Sequence, residues 1–99
     1  MKTGITELVE ISLPETTTVE QFIEKAENFV IFLQKQDGYI DGEMVKVPEG
    51  KNWRFIFHFE SMENVKAIGE KMRTSIEFAE FKSVISGFGV SFFEQVRKW

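Results

Sequence analysis

Residues Asn52–Glu60 read Asn-Trp-Arg-Phe-Ile-Phe-His-Phe-Glu. Successive side chains of a β-strand point to opposite faces, so a strand here puts Trp53, Phe55, Phe57 and Phe59 on one side. Arg54, Ile56, His58 and Glu60 fall on the other. The aromatic side demands a large apolar cover. The second side sets an isoleucine between an arginine and the only histidine of the chain.

The neighbouring segments supply partners for this strand. Tyr39–Val47 reads as a strand, with Gly42 marking a bulge or a close approach. It is joined to Asn52–Glu60 through Pro48-Glu49-Gly50-Lys51, a tight turn in which proline sets an early φ and Gly50 takes the positive one. Upstream, Ile5, Glu7, Val9, Ile11 and Leu13 alternate with Thr6, Leu8, Glu10 and Ser12, giving a first strand that Pro14 ends. Thr17 with Glu20, or Thr18 with Gln21, fits a capping box. The stripe Val19, Phe22, Ile23, Ala26, Phe29, Val30 and Leu33 then has helical spacing up to the stop at Asp37-Gly38. Ile31 and Phe32 lie off that stripe and call for cover beyond the chain's own sheet.

Downstream, Ser61 caps a helix whose inner face is Met62, Val65, Ile68, Met72 and Ile76, with Gly69 allowing close packing. A short third helix follows, with Phe78, Phe81 and Ile85 inward. After Gly87 and Gly89 a last strand sets Phe88, Val90, Phe92 and Val96 against Ser91, Phe93, Gln95 and Arg97. The order β-α-β-β-α-(α)-β predicts an α+β, ferredoxin-like βαββαβ fold over residues 1–99 as one domain. Its four-stranded antiparallel sheet carries the helices on one face.

Composition narrows the class. Ninety-nine residues suit one domain, and eleven Phe fill a small core with few side chains. The net charge is −4 and no basic run occurs, which argues against nucleic acid and anionic membrane surfaces. Cysteine is absent, so disulfides and thiol chemistry are excluded, and one histidine with scattered carboxylates predicts no metal site. The start, Met-Lys-Thr-Gly-Ile-Thr-Glu-Leu, lacks the apolar core of a leader, and no apolar run has membrane-spanning length. The expected location is the cytoplasm.

One sheet face remains uncovered by helices. It would display Thr6, Leu8, Glu10, Ile56, His58 and Phe93, an apolar patch of the kind that marks a partner surface. Two such sheets can close face to face across a two-fold axis. The expected partner is a second copy of the chain.

Three short motifs carry a resemblance. Gly38-Tyr39 followed by Glu43 resembles the glycine–aromatic entry to strand two in the dimeric α+β-barrel superfamily, and more narrowly its antibiotic-biosynthesis-monooxygenase-like branch. Phe57-His58-Phe59-Glu60-Ser61, running straight into a helix, is similar to the exit of that family's third strand. Ser75-Ile76-Glu77-Phe78 resembles its Ser-x-x-Phe step before a short extra helix. The resemblance implies a homodimer with a cavity between sheet and helices. Some members of the family are cofactor-independent oxygenases on quinol-like or polyketide substrates, an activity for which this sequence matches no catalytic residue of the family. Haem-degrading members use an Asn in strand one, a Trp in the helix after strand three and a His in the short helix. Here strand one offers Thr6, the helix Ile68 and Met72, and the short helix Lys82, so the resemblance does not extend to haem degradation.

The candidate site therefore sits on the open face. His58 would act as a base near neutrality, and Arg54 would hold an anion or enolate with its donor fork. Thr6, Glu10, Ile56 and Phe93 would line the space for a small hydrophobic or aromatic ligand, with no cofactor. The plainer account is a histidine bonded to Glu10 or Glu60, an arginine paired with Glu43 or Glu60, and strand carboxylates Glu7, Glu10 and Glu43 that are solvated or ion-paired. Gly87-Phe88-Gly89 precedes a strand and cannot form a phosphate loop. An RNA-recognition reading fails because the aromatics face the helices and the charge is negative. An acylphosphatase-like reading fails because Pro14–Thr18 holds no Arg and Asn pair. The two functions carried forward are a cofactor-independent monooxygenase-like enzyme and a non-catalytic homodimeric binding or interaction module.

Overall fold

The computed structural model describes residues 4–99. The leader reading rests partly on residues 1–3, which lie outside them. The alternating stretch around Phe57 is a strand, β3 (Trp53–Phe59), paired on one side with β1 (Ile5–Ser12) and on the other with β2 (Tyr39–Lys46). The helices are α1 (Val19–Gln34), α2 (Met62–Met72) and α3 (Ile76–Ser83), and β4 (Gly87–Glu94) completes the sheet. The strand order is β2-β3-β1-β4 and every neighbouring pair is antiparallel. This is the ferredoxin-like βαββαβ arrangement with an extra helix before the last strand.

The register assigns the two faces. Val9 lies opposite Phe55 and Val90, and Glu7 lies opposite Phe57 and Phe92, all on the helix side. Phe55, Phe57 and Phe59 are buried there against Phe22, Phe29 and Phe81. The rings form a connected lattice: Phe55–Phe57 centroids are 5.0 Å apart, Phe55–Phe81 5.6 Å and Phe29–Phe81 5.2 Å. Such offset and tilted pairs add to what their burial contributes.

Local chemistry starts each helix. Thr18 and Gln21 form the capping box, with the Gln21 amide donating to Thr18 Oγ1 at 3.1 Å and the Thr18 amide to Gln21 Oε1 at 3.0 Å. Ser61 and Ser75 cap α2 and α3 through the amides of Asn64 and Phe78. Gly38, at φ 90°, turns the chain from α1 into β2, and Gly42 lies so close to the Phe57 ring that a Cβ would overlap it.

Several local expectations are corrected. In the β2–β3 turn the positive φ of 63° belongs to Glu49, not Gly50, because the tight turn closed by the Gly50 amide on the Val47 carbonyl makes Glu49 its third residue. Of the two readings of Gly42 the close approach holds, while the bulge of β2 lies between Tyr39 and Asp41. Ile76 begins α3 and is exposed, since the helix break after Met72 ends the periodicity that would have buried it. Pairing of β4 stops at Glu94, leaving Val96 exposed. Phe32 is covered by its own chain, stacked on Phe29 at 6.4 Å, whereas Ile31 stays exposed.

Gly69 does not mediate close packing: nothing lies within 4 Å of where its Cβ would be. Alanine in a helix interior is favoured over glycine by about 1 kcal/mol. Gly69→Ala should therefore raise stability by about that amount and the melting temperature by roughly 4–8 °C. Denaturant and thermal unfolding check this, and a destabilised variant would show that α2 is packed on that side.

Candidate functional site

The aromatic lattice does not fill the whole space under the helices. Between β1, β3, β4 and the three helices lies a cavity of about 80 Å³. Ile68 and Met72 of α2 and Phe78 and Phe81 of α3 close it from above, and Phe55 and Phe57 form its floor. Its β4 wall is Phe88 and Val90, which are 51% and 42% exposed because β4 is an edge strand that the helices barely cover. That wall is the thin side, where the cavity meets solvent.

Every residue lining this cavity is apolar except Glu7. The strand period puts Glu7 on the helix face between Ile5 and Val9, and both of those are buried. Burial pushes its carboxyl from 4.5 up to about 7. Desolvation is the cause, although the residue as a whole is half-buried. A carboxyl so placed is half ionised near neutrality. It can take a proton from a weakly acidic ligand and return it, the property a general base requires.

The sequence-predicted residues lie on the opposite face of the sheet. Thr6, His58 and Phe93 share one row of the register, and Glu10 sits opposite Arg54. His58 Nδ1 is 2.6 Å from Asp41 Oδ1, with the side chains 40% and 68% exposed. The carboxylate partner of His58 is thus on β2, brought opposite it by the bulge. Arg54 Nε is 4.0 Å from Glu10 Oε1, beyond hydrogen-bond range. His58 and Thr6 border an open depression that also includes Asp41 and Lys98, while Arg54 and Glu10 border another near Asn52 and Gly89. Ile56 faces the same side between them, opposite Leu8. The single chain does not bring His58 and Arg54 into one enclosed space. Of the positions at which the haem-degrading pattern fails, Ile68 and Met72 line the helix-side cavity, and Lys82 lies 4.8 Å above the Phe78 ring.

Glu7 is the functional candidate that the sequence reading passed over as solvated or ion-paired. Its signal was a lone carboxylate on the otherwise apolar Ile5/Val9/Ile11 face. Among the described residues no three His, Cys, Asp or Glu side chains converge to hold a metal ion, and no helix is long and apolar enough to cross a membrane.

No family model matches the chain, and no curated protein does. Solved structures share its fold across nearly its whole length. SnoaB, a cofactor-independent oxygenase from Streptomyces nogalater, is 9% identical, with 98% of this chain and 96% of that chain covered and a TM-score of 0.79. A dimeric ferredoxin-like protein of unknown function from Thermobifida fusca is 8% identical over 95% of this chain and 92% of that one, with a TM-score of 0.76. A candidate antibiotic biosynthesis monooxygenase from Caulobacter crescentus is 11% identical over 97% and 92%, with a TM-score of 0.75. A heme-degrading protein from Mycobacterium tuberculosis has the same fold at 14% identity, over 100% of this chain and 98% of that one, with a TM-score of 0.74. The neighbours are those the sequence resemblance led one to expect, and at these identities the likeness is one of fold.

The raised carboxyl has a stability signature. With the folded-state value above the unfolded one, the folded chain holds an extra proton between about pH 4.5 and about 7. Stability is then full below that window and falls as pH rises through it, by on the order of 2–3 kcal/mol. Glu7→Gln should remove this component, so the stability difference between variant and parent grows across the window and is flat above it. Urea unfolding at a series of pH values measures it, and a difference that does not change with pH would mean Glu7 is solvated.

Proposed function

We propose that this protein is a homodimeric, monooxygenase-like enzyme acting without a cofactor. It takes a small aromatic or polyketide-like molecule into the cavity between sheet and helices, where Glu7 is the catalytic base. The observation that carries this reading is a single carboxyl, poised near neutrality, in an otherwise apolar cavity. SnoaB, whose fold the chain shares, is a cofactor-independent oxygenase, which supports the same class of chemistry.

The chemistry such a site supports is proton transfer followed by reaction with O2. Glu7 carboxylate removes a proton from an activated ring C–H or a phenolic O–H, and the aromatic system of the substrate delocalises the charge. At an activated CH2 the carbanion gives its electrons to O2, forming a C–O bond, and the peroxide takes the proton back from Glu7. Loss of the second C–H proton and cleavage of the O–O bond leave a ketone and water, so CH2 + O2 becomes C=O + H2O. The apolar walls keep the carboxyl basic by desolvating it. At about 80 Å³ the cavity is smaller than the roughly 150 Å³ that accommodates benzene, so even a single-ring substrate enters by displacing the thin Phe88/Val90 wall.

A second reading keeps the chemistry on the open face. The row of Thr6, His58 and Phe93 beside Glu10, Arg54 and Ile56 would line the interior of a barrel closed by a second copy, with His58 as base and Arg54 holding the anion. Oxygen uptake with hydroquinone and anthrone separates the two. Glu7→Gln should lower uptake by at least about 100-fold and His58→Ala by less than about threefold. The reverse pattern would move the chemistry to the open face. Absence of uptake by the parent protein would favour the non-catalytic binding module.

The uncovered face supports the dimer. Leu8, Ile56 and Phe93 put apolar surface on a sheet side that carries no helix, and the Thermobifida fusca neighbour is dimeric. Light scattering at micromolar concentration should give twice the chain mass, and Leu8→Glu should yield a folded monomer. A parent protein that stays monomeric would overturn the pairing.

A further inference from the structure

We propose that Glu7 sorts the ligands of the cavity by the kind of oxygen they carry: its carboxylate retains a hydroxyl-bearing aromatic, its carboxylic acid retains a carbonyl-bearing one, and proton loss expels the latter. The inference rests on reading the cavity as the ligand site and adds its selectivity.

The geometry leaves Glu7 alone with whatever enters. The remaining lining from β1, β3, β4, α1, α2 and α3 is apolar, so no second polar group can satisfy a ligand oxygen. The ionisable groups near it on the packed elements do not line the cavity: Glu94 of β4, opposite Ile5, shares the helix side of the sheet next to Phe92 but is not part of the lining. Tyr39, against the edges of Phe57 and Phe59, is pushed above 10 by burial and by Asp41, and stays neutral. Lys82 lies over the Phe78 ring and is not part of the lining.

An ionised carboxyl is an acceptor only, and a protonated one is a donor as well. A phenol or enol donates to the ionised form through a charge-assisted bond, stronger than a neutral one. A ketone or quinone has no proton to give. Facing a carboxylate among apolar walls, it leaves two acceptors opposed, which weakens binding about tenfold or more. The protonated acid instead donates to that carbonyl. The swing occurs around pH 7, where Glu7 titrates. A reaction that turns CH2 or C–OH into C=O therefore makes a product that the ionised site holds poorly. The substrate class this selects is a single-ring or ring-fused phenol or enol.

Calorimetric titration of the full chain with phenol, acetophenone and benzene, at about pH 5.5 and about pH 8.5, tests this. The affinity of phenol relative to acetophenone should rise about tenfold or more between the two, with benzene unchanged. In Glu7→Gln the ratio should be the same at both. In the parent protein, carbon-13 NMR of the Glu7 carboxyl should show its titration moving up with acetophenone and down with phenol, a readout that needs no variant. Equal ratios in the parent protein while all three ligands bind would overturn the sorting alone. Failure of even benzene to bind would overturn the cavity reading and the sorting with it.

Discussion

The structure depends on the packing of the β3 phenylalanine face against the rings of α1 and α3. Phe22, Phe55 and Phe57 are the largest fully buried side chains, and Phe22 also meets Trp53 at 5.2 Å and Phe81 at 6.1 Å. Each such ring contributes on the order of 2–3 kcal/mol through burial alone. Flat, stiff rings tile one part of the interface well and leave a gap where they run out. The gap falls toward β4, whose helix-side residues are only half covered. The cavity is thus a consequence of building a small core from few large side chains.

Glu7 is placed by the same constraint. Pairing of β1 with β3 is continuous from Ile5 to Ile11, without a bulge. Each odd-numbered residue of β1 must therefore face the helices, Glu7 included, whatever its polarity. A carboxyl in apolar surroundings keeps its charge only at a cost, and the chain responds by holding it neutral to higher pH. A sequence selected for stability alone would place Val or Ile there. Local violations of the core pattern concentrate at functional positions, and this is the one on the helix face of β1 and β3.

The fold was legible because Phe55/Phe57/Phe59, the Thr18/Gln21 capping box and the Ser61 and Ser75 caps each act within a few residues. The helix-side composition of the sheet followed from period-two alternation. The site was less legible. Histidine drew notice by its chemistry, yet His58 reaches its carboxylate only through the Tyr39/Asp41 bulge of β2, and a bulge with no special residue leaves no mark in sequence. Glu7 was visible as an odd carboxylate in an apolar series. Its surroundings depend on long-range contacts among α2, α3 and β4, and on the break at Met72 that turns Ile76 outward. Spacing along one element cannot report whether the space above a residue is filled.

The two sheet faces are not independent. β1 carries Glu7 toward the cavity and Thr6, Leu8 and Glu10 toward the open side, so the strand that positions the carboxyl is also the centre of the surface left for a partner. β1 is held laterally by both β3 and β4, but β4 has little helix above it and an exposed face below. Covering the open side would restrain β4 from beneath and with it the Phe88/Val90 wall, the thin side of the cavity. Closure of the open face would then act on access to Glu7 without any partner residue entering the cavity, because the strands that pair beneath it are those that line it.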